Sequence, residues 1–133
     1  MRGYFTALLV TVACLGVTVQ GQRQVFPGNG QLPFSAATKA DGLIYVSGSL
    51  SAKGDIKEQT KGVIDSLGQT LTKAGSSLKN VVAATVYLKN PTDAAAMTEV
   101  WREYWPKDAP TRTTVASACL RTLVSASCTS LSR

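Results

Sequence analysis

The stretch Asn80-Val81-Val82-Ala83-Ala84-Thr85-Val86-Tyr87-Leu88, closed by Lys89-Asn90-Pro91, decides the architecture. Its run of β-branched, aromatic and small apolar residues carries no charge from Val81 to Leu88 and predicts a central strand. Downstream, Ala96, Met97, Val100, Trp101 and Tyr104 recur at three- and four-residue steps, so Thr92 to Tyr104 reads as an amphipathic helix with Trp101 and Tyr104 in the core. Pro106 and Pro110 then punctuate a loop, and Thr111 to Ala116 has the β-branched content of another strand. Upstream, Val63, Leu67, Leu71 and Ala74 fall at four-residue steps with Ile64 beside them, which predicts a helix over Asp55 to Ala74. Asp55 and Glu58 resemble a capping box, and Gly75 is placed as a left-handed stop. Gly62 and Gly68 each weaken that helix by about 1 kcal/mol relative to Ala, so packing of its apolar face has to hold it together.

Before this helix, Phe34 to Lys39 and Leu43 to Ser49 flank Asp41-Gly42, whose tolerance of positive φ signals a hairpin. Arg23 to Phe26 forms a further short extended piece ahead of the breaker cluster Pro27-Gly28-Asn29-Gly30. The resulting order, β-β-β-α-β-α-β, predicts an α+β fold: a mixed sheet with two helices packed on one face.

With 133 residues, 44% of them hydrophobic, the chain has room for one domain around one core. The formal net charge is +6, but Lys and Arg are scattered singly with little aromatic interleaving, so a nucleic-acid partner is not expected and the charge serves mainly solvation. Histidine is absent, which removes the usual general base near neutral pH, the usual metal ligand and every Ser-His or Cys-His nucleophile arrangement.

Arg2 precedes an apolar run, Ala7 to Val19, that ends in Val19-Gln20-Gly21. This is the pattern of a signal peptide over residues 1–21, cleaved before Gln22, leaving a domain over 22–133 exported to the periplasm or the medium. The run is too short to span a bilayer comfortably and no second one follows, so no membrane span is expected after cleavage. Cys14 leaves with the signal. Cys119 and Cys128 remain where a disulfide could persist, but their spacing matches no metal or redox motif, and small apolar filling is the preferred reading.

Several segments, in order, resemble the RidA/YjgF family of imine and enamine deaminases, once known as L-PSP endoribonuclease-like proteins. Pro33-Phe34-Ser35 with Gly42-Leu43-Ile44-Tyr45-Val46-Ser47-Gly48 is similar to the family's proline-aromatic-Ser entry and its strand ending in Ser-Gly. Lys73-Ala74-Gly75, Val81-Val82 and Thr85-Val86-Tyr87-Leu88 resemble its helix exit and central strand, and Pro110-Thr111-Arg112-Thr113-Thr114-Val115 resembles its Pro-X-Arg-Ser/Thr signature. The resemblance runs from Leu32 to Val115. It implies a chorismate mutase-like homotrimer with active sites between subunits. These hydrolyse imines and enamines such as 2-iminobutanoate, 2-iminopropanoate and 2-aminoacrylate to 2-oxo acids and ammonia, without metal or organic cofactor.

Carried over by position, Arg112 would pair with the substrate carboxylate, a role that suits its planar fork of donors. Thr114 falls where backbone groups lie near the substrate, Phe34 at an aromatic position lining the cleft, and Gly48 where backbone passes close to the ligand. Thr98 stands in place of a usual Asn in the second helix, Ser49 where Gln is frequent, and Ala36 also replaces a common Gln. The last strand, within about residues 120–130, is divergent. Laying Leu123-Val124-Ser125-Ala126-Ser127-Cys128 on it puts Ser125 where relatives carry the glutamate that positions the attacking water, and no acidic residue follows Asp108. The leading expectation is an exported, cofactor-free deaminase of small imine acids, with reduced activity. A non-catalytic binder of small carboxylates is the alternative. Ribonuclease action has the least support, because neither a histidine pair nor a basic-aromatic surface is visible.

Overall fold

The structure is a computed structural model, and it describes residues 22–31, 33–116 and, as backbone, 125–131. The segment expected to be a signal peptide and Cys119 lie outside the described residues. Two short strands open the fold, β1 (Gln24–Phe26) and β2 (Ala37–Ala40), followed by β3 (Leu43–Ser49). The β2–β3 hairpin turns on Asp41 and Gly42, both at positive φ (49° and 79°), the conformation that a two-residue hairpin loop requires.

Helix α1 (Ile56–Lys73) starts where Asp55 accepts a hydrogen bond from the Glu58 backbone N–H at 2.9 Å. It stops in a Schellman arrangement: Gly75, at φ +81°, donates to Thr72 O, and Ser76 donates to Leu71 O. Gly68 has a use that the helical periodicity does not reveal. A Cβ there would come within 3.1 Å of Leu78 Cδ1, so the bare backbone lets the segment after the helix fold back onto it. Strand β4 (Val81–Leu88) follows, then a single 3₁₀ turn over Pro91–Asp93 and helix α2 (Ala94–Tyr104). The regular helix begins two residues later than the apolar period implies, because the segment after Asn90 first winds as that tighter turn. Strands β5 (Thr111–Ala116) and β6 (Ser125–Leu131) follow.

Six strands form one mixed sheet in the order β1-β2-β3-β6-β4-β5. All pairings are antiparallel except β4 with β5. The divergent last strand therefore enters the middle of the sheet, between β3 and β4, and it runs to Leu131, beyond the expected stretch. Val63, Ile64, Leu67 and Leu71 of α1 and Met97 and Trp101 of α2 form one core cluster with Ile44, Val46, Ala84, Val86 and Leu88 of the sheet. Alternation then directs Tyr45, Thr85 and Tyr87 to the sheet face opposite the helices.

Trp105, just past α2, is also core, with its indole N–H donating to Leu78 O at 3.1 Å and its ring 4.4 Å from that of Trp101. On the outer side, Lys57–Glu99 (2.6 Å), Lys61–Glu103 (3.1 Å) and Tyr104–Asp65 (2.6 Å) tie the helices together. Tyr104 is thus only half-buried, with its hydroxyl at the surface rather than wholly in the core.

Candidate active site

Arg112 is the second residue of β5, after the buried Pro110 and the exposed Thr111. Its register partner on β4 is Ala84, a member of the buried row, so the Arg112 side chain lies on the helix side of the sheet, against α2. Three α2 residues hold it there. The guanidinium carbon sits 5.2 Å from the centroid of the Trp101 ring, Nη1 lies 3.5 Å from Met97 Sδ, and Nη2 donates to Thr98 Oγ1 at 3.1 Å. Thr98 gives its own proton to Ala94 O at 2.7 Å, which leaves its oxygen lone pairs for the guanidinium. The ion pairs among the described residues are Lys57–Glu99 and Lys61–Glu103, and Arg112 belongs to neither. It is a half-buried, oriented cation with no carboxylate beside it among the described residues, the arrangement that an anionic ligand completes. Thr114 lies two residues on, exposed, on a strand that forms the sheet edge among the described residues.

Phe34 and Gly48 belong to a different wall. The Pro33–Ala36 segment is pinned over β3: Ser47 Oγ donates to Ser35 O at 2.6 Å, Ser47 N to Ala36 O at 3.0 Å, and Ala36 N to Phe26 O at 2.9 Å. Gly28 permits the close approach, since a Cβ there would stand 3.0 Å from Phe34 O. Between Val46 and Ser49 the β3–β6 register slips, a bulge that re-aims Ser47 and Gly48. The result is a cavity of about 300 Å³ lined by Phe34, Ser47, Gly48, Ser49, Ser66 and Thr70, among others. Phe34 is 55% exposed, an aromatic face turned to solvent.

Arg112 and Thr98 are therefore brought together, and so are Phe34 and Gly48, but the two pairs do not meet within one chain. Strands β6 and β4 stand between β3 and β5, a lateral separation of about 14 Å at three strand spacings. The resemblance placed these residues in clefts between subunits, and within one chain they fall on two separate walls. Ser125 opens β6 and is paired in register with Tyr87. Sequence reasoning placed Trp101 in the core and gave it no part in the site. Its spacing carried the signal, because Met97, Thr98 and Trp101 stand at i, i+1 and i+4 and share one helix face.

Comparison with known proteins agrees with this architecture. Residues 29–125 match the family model described as Endoribonuclease L-PSP. A RutC-family protein of Pyrococcus abyssi is 44% identical over 91 residues, which span 62% of this chain and 72% of that protein. The 3-aminoacrylate deaminase RutC of Acinetobacter baylyi is 36% identical over 88 residues, 60% of this chain and 70% of that protein. Among solved structures, a YjgF-family protein of Neisseria meningitidis superposes with a TM-score of 0.72 at 30% identity, covering 84% of this chain and 96% of that one. RidA from an Antarctic Psychrobacter superposes with a TM-score of 0.72 at 25% identity, over 80% and 94%. Matched across most of its length by family model, sequence relatives and fold, the chain belongs to the RidA/YjgF family.

Proposed function

We propose that the protein hydrolyses small imine or enamine acids, of the 2-iminobutanoate and 2-iminopropanoate type, to 2-oxo acids and ammonia. The observation that carries this reading is Arg112, oriented by Trp101 and Thr98 and lacking a carboxylate partner among the described residues. A substrate carboxylate seated on that fork places the adjacent imine carbon beside the edge strand. Water adds to the protonated imine carbon, the carbinolamine passes a proton to nitrogen, and ammonia leaves as the carbonyl forms. No step needs a redox partner. Protonated imines are strongly electrophilic, so docking and an ordered water supply rate through proximity even where a strong general base is missing. The relative named as a 3-aminoacrylate deaminase supports the same chemistry.

The separation of Arg112 from Phe34 and Gly48 favours a homotrimer in which one copy's β5 faces the Phe34 cavity of the next. The open sheet face carries Tyr45 and Val115, 51% and 38% exposed, as apolar surface for such a contact. Light scattering that gives a monomer at micromolar concentration would remove this arrangement. Export rests on the sequence of residues 1–21 alone.

A second reading, a non-catalytic carboxylate binder, is favoured by one observation: no Asp or Glu follows Asp108. Release of 2-oxobutanoate from 2-iminobutanoate generated in situ, measured beside calorimetric binding of 2-oxobutanoate, separates the two. Turnover above the uncatalysed rate supports the deaminase, and binding without turnover replaces it with the binder.

A further inference from the structure

We infer that the Phe34 cavity opens into a second chamber that favours substrates carrying a second carboxylate, with Lys73 and Asn29 as the recognising groups. The inference rests on the proposed seat of the substrate beside Phe34. The chamber holds about 340 Å³, and Phe26, Pro27 and Lys73 belong to its wall. It shares Gly28, Asn29, Ala36 and Thr70 with the Phe34 cavity, so the two adjoin along a common wall.

The chemistry of that wall is one-sided. Among the described residues no Asp or Glu lines either chamber, while Asn29, Ser49, Ser66 and Lys73 supply hydrogen-bond donors and one positive charge; the Thr70 hydroxyl proton is taken by Ser66 O at 3.1 Å. Asn29 Oδ1 accepts the Gln31 N–H at 3.2 Å, which fixes the amide orientation and leaves the Nδ2 protons for a ligand. Lys73 stands in the last turn of α1 and belongs to neither ion pair found among the described residues. Phe26 and Pro27 form the apolar side, suited to the methylenes that would separate an imine carbon from a distal carboxylate. Lys73 also complements the C-terminal end of the α1 dipole, a purely structural role that would favour no ligand over another.

The test compares 2-oxoglutarate with 2-oxopentanoate, equal in chain length and differing in the distal carboxylate, by calorimetry on the parent, Lys73→Gln and Lys73→Arg. The parent is expected to bind 2-oxoglutarate about fivefold more tightly, the size of a partly exposed ion pair with one added hydrogen bond. Lys73→Gln brings that ratio near one with 2-oxopentanoate affinity unchanged, and Lys73→Arg retains it. A parent ratio of one, or a ratio that survives in Lys73→Gln, overturns the inference and leaves the deaminase reading intact. If neither acid binds, the inference falls with its seat, and turnover of 2-iminobutanoate then decides separately whether the deaminase reading stands.

Discussion

Replacing Arg112 by alanine separates an anchoring cation from a structural one, because the two roles predict opposite balances of stability and binding. In the fold, the side chain makes a ring contact with Trp101, a hydrogen bond to Thr98 and a sulfur contact with Met97. Their loss costs about 1–2 kcal/mol, from typical values for a half-exposed cation–π contact and one net hydrogen bond. The larger penalty for breaking a buried ion pair, about 3–5 kcal/mol, does not apply, since no carboxylate among the described residues is left stranded. Binding has more to lose. A charge-assisted contact to a partly desolvated carboxylate is worth about 2–3 kcal/mol, so affinity for 2-oxobutanoate should fall about a hundredfold and turnover with it. Arg112→Lys keeps the charge but loses the planar fork and the stacking, and should fall in between. Urea denaturation and calorimetry on the parent and both variants give the two balances. Unchanged ligand affinity in Arg112→Ala would refute the assignment, and destabilisation above about 3 kcal/mol would mean that Arg112 serves as one half of a buried ion pair.

Ser125→Glu restores a carboxylate at the position paired with Tyr87 and should raise deamination about a hundredfold with ligand affinity nearly unchanged; a fall in urea midpoint without any gain in rate would show that this register does not deliver the residue to the water. Thr98→Val removes the hydrogen bond to Arg112 while keeping shape, so KM should rise about fivefold with kcat preserved, and steady-state kinetics showing the reverse split would count against a positioning role. Desolvation, reinforced by the hydrogen bond to Asp65, pushes the Tyr104 phenol up from 10.0 to about 12. The folded state therefore holds this proton more tightly than the unfolded state; the stabilisation is complete below pH 10 and is lost as pH rises through 12. Denaturation curves across that window should flatten in Tyr104→Phe, and an identical decline would exclude Tyr104 as its source. Gly75→Ala forces a side chain into φ +81° with no neighbour within 4 Å to share the blame, so thermal melting should report a loss of about 1 kcal/mol arising from the backbone alone.

The elements that were legible in the sequence are those whose local chemistry agrees with their tertiary use. Asp41-Gly42 has the only kind of side chains that accept the two positive φ angles of that hairpin, so the turn was readable without its surroundings. The apolar row Val63, Ile64, Leu67 and Leu71 of α1, with Ala74 at its C-cap, is buried as its spacing implied, and the run read as a strand buries Val81, Ala84, Val86 and Leu88 of β4. What local pattern could not supply was the sheet order. Strand β6 carries Ser, Ala, Cys and Thr with a single Leu at its end, a composition that marks no central strand, yet it lies between β3 and β4. Pairing on both edges sets its place, with Cys128 in register with Val46 on one side and Ala84 on the other. Trp105 was missed for a related reason. Its neighbours Pro106 and Pro110 mark a loop, and only the approach of Leu78 O from outside the local window gives its indole N–H a buried partner.

The site divides along the same line. Resemblance supplied the residues Arg112, Thr98, Phe34, Gly48, Thr114 and Ser125, but spacing along a chain does not measure distance across a sheet. The helix α2 face that carries Met97, Thr98 and Trp101 lies over β5, and this makes Arg112 a fixed donor rather than a mobile surface charge. The Phe34 cavity is built by a separate set of hydrogen bonds, from Ser47 to Ser35 and Ala36, on the far side of two intervening strands. Two half-sites on opposite parts of one sheet can act on one small molecule only if a second copy carries the complementary half. Mixing two inactive variants tests that geometry directly. A variant at Arg112 still offers an intact Phe34 wall, and a variant at Phe34 still offers an intact Arg112. Co-refolding Arg112→Ala with Phe34→Ala in equal amounts should therefore regenerate, in mixed oligomers, up to about a quarter of parental sites on random assembly of each interface. Activity no greater than the sum of the two variants alone would place the whole site within a single chain, and the intersubunit reading would have to be abandoned.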